Sequence, residues 1–459
     1  MSNYKFSLNP VKVKKVLTKN RIIQTSIPAP GTKNILKKLN LYESRSMHGQ
    51  LPLVWHKAKN FSVFDKAGNK WIDFTSTIFV ANVGHSNKMV NAAIKTVIDA
   101  PLYSCYAYPN SLRAQYLEKL VKFAGKGFDK AFLLSAGTEA TEAVFKLMRM
   151  HGQKIKKRKL GIICLEGNWH GRTLGAQMMS GNLEQKLWIG EKDKNIHHIS
   201  FPYPWALNNL SSKEFFEKSL LKLKKKNIDF KKDICGFMLE TFQGWGAIFY
   251  PKDYVLYIKE FCKKNKILLS FDEMQAGFGR TGKNFGFQNY NVIPDLIACG
   301  KGMGGGLPLS GVIGKKEIMD LPSIGNMSST HSANPMVCAA GAAVIDEIKK
   351  NDLLEEVIRK GKILHETLTI IKTKYPDFIS FIFGEGLIAA IIFKKNTMVK
   401  DINTFTSKVA ERCMQKGLLV VHTGRESIKI GPPLTITENA LKEGLGVLDE
   451  SINEIINND

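Results

Sequence analysis

The chain has no apolar run long enough to cross a bilayer and no continuous hydrophobic block near its start. Neither a membrane span nor a secretory signal is expected. Cysteine is sparse. Its seven residues, Cys105, Cys164, Cys235, Cys262, Cys299, Cys338 and Cys413, are dispersed, and none forms a CxxC pair. An odd number of scattered thiols points to reduced cysteines in a cytoplasmic protein. Arginine is scarce and acids are outnumbered: 66 Lys and Arg face 41 Asp and Glu, a formal charge of +25. The excess is lysine on segments such as 213–232 and 349–362, which reads as solvated helix faces. A specific nucleic-acid site would lean on bidentate arginine and stacked aromatics instead, so no such partner is expected. No internal repeat and no low-complexity segment occurs.

What is present is a chain of 459 residues, enough for two or three domains. Residues 1 to about 50 are basic and irregular, with breakers at Pro28, Pro30 and Gly31. Two short strand-like runs, 61–64 and 70–74, flank a turn at Asp65–Asn69 and read as a hairpin. From about 86 to 335, helical stretches (88–98, 111–124, 138–151, 212–226, 253–264) alternate with short apolar runs (131–134, 161–165, 234–239, 267–271, 296–299, 311–314). That alternation predicts an α/β fold with a mostly parallel sheet. A long Ala-rich helix, 336–350, opens a C-terminal stretch with helices at 352–374 and 404–416 and strands at 388–393, 418–421 and 428–430.

In such sheets functional residues gather at the carboxyl ends of strands, and five runs end in suggestive residues. Lys301 follows the apolar run Leu296–Cys299 and Gly300, with glycines crowding the positions after it. A lysine at a buried strand end has a lowered pKa, and its neutral amine can attack an aldehyde to form a Schiff base. The alternative for this segment alone is a glycine loop with a solvated lysine. After 131–134, Gly137 and Thr138 open a helix, which makes either a phosphate site or an ordinary N-cap. After 161–165 come Trp169, able to lie against an aromatic ligand or to pack in the core, and Arg172, able to clamp a carboxylate or to make a structural ion pair. Glu240 ends the fourth run and needs a partner, for which Arg172 is available. Asp272 and Glu273 end the fifth. Asp272 could hold a protonated ring nitrogen. A metal reading is weak there because no His or Cys accompanies the pair. His197 and His198 lie adjacent in a loop and make no metal site.

Together these segments resemble the class III (subgroup II) aminotransferases, which depend on pyridoxal 5′-phosphate (PLP). The likeness runs from about Pro52 to Pro433. Its strongest parts are Asp272-Glu273-Met274-Gln275-Ala276-Gly277-Phe278-Gly279-Arg280-Thr281-Gly282 and the Lys301 segment. The resemblance implies a fold type I PLP transferase. A large PLP-binding domain (86–335) would hold a mainly parallel seven-stranded sheet. A small α+β domain would come from both chain ends: an arm and contributing segment at 1–85, and 336–459. By resemblance Lys301 carries PLP as an internal aldimine and Asp272 pairs with the pyridinium nitrogen. Trp169 stacks on the ring, Gln275 reaches its phenolic oxygen, and Gly137 and Thr138 hold the phosphate. Thr330 is donated to the phosphate of a neighbouring subunit, so the site is completed in a homodimer. The implied reaction moves an amino group from a primary, terminal amine to an oxo acid or aldehyde acceptor. Another PLP reaction on the same scaffold (lyase, aminomutase or racemase) stays open, as does a non-catalytic binding protein.

The chain departs from the family's pattern where substrates are chosen. Trp245 stands where many members have Glu, and Lys429 where many have Arg. Lys is a poor replacement for a planar fork. The glutamate/2-oxoglutarate switch is therefore expected to be absent or altered, with Arg172 retained for a substrate anion and Trp245 as an aromatic wall. Thr77 and the aromatic stretch 103–108 lie where the family builds its substrate pocket.

Overall fold

The computed structural model describes residues 4–458, so the first three residues of the basic leading segment lie outside it. The described chain forms two compact units. One holds 88–244 and 248–354. The other holds the chain up to Asn87, Trp245–Ala247, and the chain from Glu355 on.

The first unit is built on a seven-stranded sheet. In chain order its strands are β1 (Lys130–Leu134), β2 (Gly161–Leu165), β3 (Ile196–Ile199), β4 (Ile234–Glu240), β5 (Leu268–Asp272), β6 (Leu296–Cys299) and β7 (Ser310–Gly314). Across the sheet they run β1-β7-β6-β5-β4-β2-β3. All neighbours are parallel except β7, which is antiparallel to both β6 and β1. Strands β2, β4, β5, β6 and β7 are buried at every residue, which is why they read as unbroken apolar runs rather than alternating ones. Helices α1 (Lys88–Asp99), α2 (Ser111–Ala124) and α3 (Gly137–Ile155) follow the predicted order, and a short helix not expected from the sequence, α4 (Leu174–Met179), comes after β2. On α3, Ala140, Val144, Leu147 and Met148 pack onto Ile162, Cys164, Met238, Leu268 and Val312 of the sheet. Close approach here requires Gly152, where a Cβ would stand 2.1 Å from the Lys159 carbonyl oxygen.

Three features differ from the sequence reading. Helix α5 (Pro335–Lys350), expected to open the C-terminal domain, belongs to the unit with the large sheet. Its small residues let it pack on α1 and α2, with Gly341 against the ring of Tyr116. The segment with His197 and His198, read as a loop, is the edge strand β3 paired with β2; pairing rather than apolarity makes it a strand. The irregular arm contains a helix, Thr32–Tyr42, entered through Gly31 at φ +87°. The breakers before it punctuate the helix rather than exclude it.

The second unit carries two sheets. The 62–64 and 70–73 strands pair as the predicted hairpin within one of them, and Leu418–Leu419 joins Ile72 and Asp73 there in parallel. The other sheet runs 379–385, 388–393, 427–430, 421–422. No helix among the described residues is long and apolar enough to cross a membrane.

Candidate active site

The carboxyl ends of β4, β5 and β6 stand side by side. Asp272 is registered against Glu240 on one side and Ala298 on the other. Paired positions direct their side chains to one face, so the two carboxylates share it. The loops after β1, β2, β5 and β6 close around them. The result is a cavity of about 310 Å³ lined by Gly137, Thr138, Trp169, His170, Gly171, Arg172, Glu240, Asp272, Met274, Gln275 and Lys301. Eight of the eleven residues singled out in the sequence meet here. Thr330 lies exposed on the turn before α5, and Trp245 and Lys429 belong to the second unit.

Asp272 is buried and doubly held. His170 places its Nδ1 at 2.9 Å from Oδ2, and the Met274 amide donates to Oδ1 at 3.0 Å. These two contacts fix the orientation of the carboxylate. His170 is itself buried, and its Nε2 has no hydrogen-bond partner among the described residues. Sequence reasoning passed over it: 102 residues separate it from Asp272, and only its place between two singled-out positions marked it. The neighbour Glu273 is engaged by protein donors. Its carboxylate accepts from the Thr241 hydroxyl at 2.5 Å and from the Gly286 and Phe287 amides at 2.7 Å each, fixing the turn at 286–290.

Lys301 sits on strained backbone. Its φ of +42° is in the left-handed region, rare for a residue with a side chain and concentrated at functional positions. Gly300 precedes it because a Cβ there would fall 2.7 Å from Met274 Sδ. Desolvation lowers the Lys301 pKa below the ordinary lysine value, while Asp272 and then Glu240 pull it up. The amine is thus tuned toward its neutral, nucleophilic form.

Glu240 does not pair with Arg172 as expected. It accepts from the Trp169 amide at 2.9 Å, the Gly244 amide at 3.3 Å and Gln275 Nε2 at 3.4 Å. Arg172 instead lays its guanidinium over the Trp169 ring, 4.4 Å from the centroid, where the ring's electron-rich face attracts it. The phosphate-site candidates are built as expected from a helix start. Gly137 and Thr138 open the 19-residue α3, whose first amides have no partner within the helix. The Thr138 hydroxyl accepts from the Arg172 and Thr173 amides at 3.3 and 3.2 Å. Gly171, at φ +140°, lets that loop lie on it, since a Cβ would stand 2.3 Å from Thr138 Oγ1.

A buried acid for a ring nitrogen, a desolvated lysine for an aldehyde, a half-exposed indole for a flat ring and a helix N-terminus for a phosphate all face one small cavity. These donors fit PLP. Fold and site together define a fold type I PLP transferase. Residues 43–452 match the sequence profile of the aminotransferases of class III. The chain is 32% identical over 406 residues to the mitochondrial acetylornithine aminotransferase of Candida glabrata, covering 86% of this chain and 89% of the relative. It is also 32% identical over 414 residues to the leucine/methionine racemase of Thermococcus litoralis, covering 88% and 91%. Among solved structures, the acetylornithine aminotransferase of Elizabethkingia anophelis superposes with a TM-score of 0.76 at 25% identity, covering 92% of this chain and 99% of that one. The ornithine aminotransferase of Toxoplasma gondii does so with a TM-score of 0.83 at 22% identity, covering 93% and 96%, and shares the fold. The chain belongs to the class-III aminotransferases. It is a PLP-dependent enzyme that transfers an amino group.

Proposed function

We propose that the amine donor is a primary amine at the end of a carbon chain, that the acceptor is an oxo acid, and that Lys301 and Asp272 are the catalytic residues. One observation carries the reading: the amine of Lys301, lowered in pKa, and the carboxylate of Asp272, braced by His170, line the same cavity. Bound PLP supplies an electron sink for the carbon that carries the reacting amine. Lys301 would hold the cofactor through Nζ, and its amine, lowered in pKa, would serve as the group that carries a proton at the substrate carbon. Asp272 would favour a protonated ring nitrogen by opposite charge. The amides of Gly137 and Thr138 would hold the phosphate, Trp169 would cover the ring and Gln275 would reach its phenolic oxygen. Arg172 leaves the Trp169 ring to clamp a substrate carboxylate with its fork of donors. Glu240 orients Gln275 and the 169 amide.

The same reading makes the enzyme a homodimer, with Thr330 given to the partner's phosphate. It is supported by a cavity of about 560 Å³ lined in part by Tyr106, Ile324, Met327, Ser328 and Ser329. Near it in sequence stand the exposed Tyr103 and Tyr108. Exposed apolar surface of this kind marks an interface. A cytoplasmic place is supported by seven cysteines without a disulfide. Donor choice is tested by a panel of a diamine, an ω-amino acid, an amino sugar and a taurine-like amine, read by loss of the cofactor's absorbance. Pyridoxamine phosphate should accumulate with a donor alone. Ammonia release or inversion of an amino acid without that product would replace the transfer reading with a lyase or racemase.

A further inference from the structure

The short helix α4 starts without the cap its sequence offers. Thr173 stands at the N-cap position, yet its side chain makes no bond to the helix amides. A glutamate from α3 takes that place. Glu142 Oε1 accepts from the amides of Gly175 at 2.8 Å and Ala176 at 3.1 Å. Both residues are buried, and first-turn amides have no acceptor within their own helix. The fit is tight, since a Cβ at Gly175 would stand 2.5 Å from Glu142 Oε2. Relieved of capping, the Thr173 hydroxyl donates to the same Oε1 at 2.6 Å.

Counting protons then fixes the next bond. The Thr138 and Thr173 hydroxyls lie 2.7 Å apart, and each carries one proton. Thr173 gives its proton to Glu142, so Thr138 is the donor between the two. The Thr138 oxygen accepts from the Arg172 and Thr173 amides. Its hydroxyl therefore faces the backbone of 172–173 and has no proton left for a phosphate. Thr138, Thr141 and Glu142 lie at i, i+3 and i+4, on one face of α3. Thr141 Oγ1 donates to the His170 carbonyl at 2.7 Å, so this one face holds the segment from His170 to Ala176.

We propose that Glu142 is a positioning residue for Arg172 and for the cofactor's phosphate. By accepting three donors from 173–176 it fixes the backbone that carries Arg172. Through Thr173 it turns the Thr138 proton away from the phosphate, which is left to main-chain amides. This rests on the reading of Gly137 and Thr138 as the phosphate cradle and of Arg172 as the substrate clamp.

The test compares how fast holoenzyme releases PLP and, in a parallel preparation, pyridoxal, which lacks the phosphate. Release is read by cofactor fluorescence on dilution, and KM and kcat are measured with a carboxylate-bearing amine donor. Glu142→Ala leaves three donors without their acceptor. It should raise PLP release and donor KM about tenfold each while kcat holds, the size of losing hydrogen bonds to a carboxylate. Glu142→Gln keeps an acceptor oxygen at that place and should restore both. Thr173→Val removes the hydroxyl that takes the Thr138 proton, which then turns to the phosphate. PLP release should slow about tenfold, and pyridoxal release should not change. A merely structural defect would hasten release of both cofactors. The proposal is overturned if Thr173→Val hastens PLP release or leaves it unchanged, or if Glu142→Ala lowers kcat while PLP release and donor KM hold. Thr173→Val alone decides the matter should Glu142→Ala fail to fold. Parent enzyme that releases PLP and pyridoxal at one rate would instead show that no phosphate cradle exists, and would sink the reading beneath the proposal.

Discussion

At the scale of single residues, the site depends on an amine and a carboxylate that line one cavity. Lys301 is pushed toward the neutral amine by desolvation, while Asp272 is held in place by His170 and the Met274 amide. Lys301→Ala should lower kcat by about 10²–10⁴-fold, the range for losing a positioned proton carrier. It should also leave no lysine adduct after borohydride treatment, which mass spectrometry of the peptide reads. Asp272→Asn should cost about 10²–10³-fold in kcat, as for losing a preorganised charge. His170→Ala leaves Asp272 with its amide donor. It should act through that acid, lowering kcat less than Asp272→Asn and shifting the absorbance of the bound cofactor while KM for the donor holds. An unchanged spectrum would assign His170 to packing alone.

At the scale of elements, the cavity exists because helix α3 lies flat on the sheet and delivers its N-terminus beside β5. Gly152 permits that contact. Gly152→Ala forces a methyl group against the Lys159 carbonyl and Cys235 Cβ, at 2.1 and 2.4 Å. Overpacking of this kind should destabilise the fold by about 1–3 kcal/mol, measured by thermal unfolding. A variant as stable as the parent would show that the helix can slide without loss. The strand ends were legible because each apolar run stops at a polar residue, and α3 was legible from its period. The helix Glu438–Asn458 and the strand Ile379–Glu385 were not read. Each is specified by packing in the second unit more than by any local punctuation.

At the scale of the whole molecule, two outcomes follow. If Thr330 completes a neighbour's site, Lys301→Ala and Thr330→Ala subunits are each impaired alone. Mixed after dissociation, they should form heterodimers with one sound site, regaining activity up to half the wild-type level per heterodimer. No recovery on mixing would place Thr330 within its own subunit's site or outside any site. Stability should also depend on pH through His198, which β3 buries against the Met179 and Ser180 carbonyls. Burial pushes its pKa down from 6.5 to about 4. Between those values the unfolded chain takes up a proton that the folded chain refuses, so stability is fully present above pH 6.5 and falls as pH drops toward 4. The contribution is on the order of 3 kcal/mol. His198→Gln should flatten the dependence of unfolding temperature between pH 7 and pH 4.5 relative to the parent.

The order of strands and helices, the lysine and the aspartate at their strand ends, and the loss of the acid and arginine at 245 and 429 were all determined by local sequence. Periodicity, punctuation and residue type act over a few neighbours, and they survive in a linear string. What the tertiary structure alone decided are the pairings across distance. His170 was matched to Asp272, Glu240 was taken from Arg172 by three other donors, and Arg425 was set on Trp245 across 180 positions of chain. Those choices depend on which loops the sheet brings to one edge and on how rings and charges compete for the same few ångströms there. No spacing in the sequence encodes that competition.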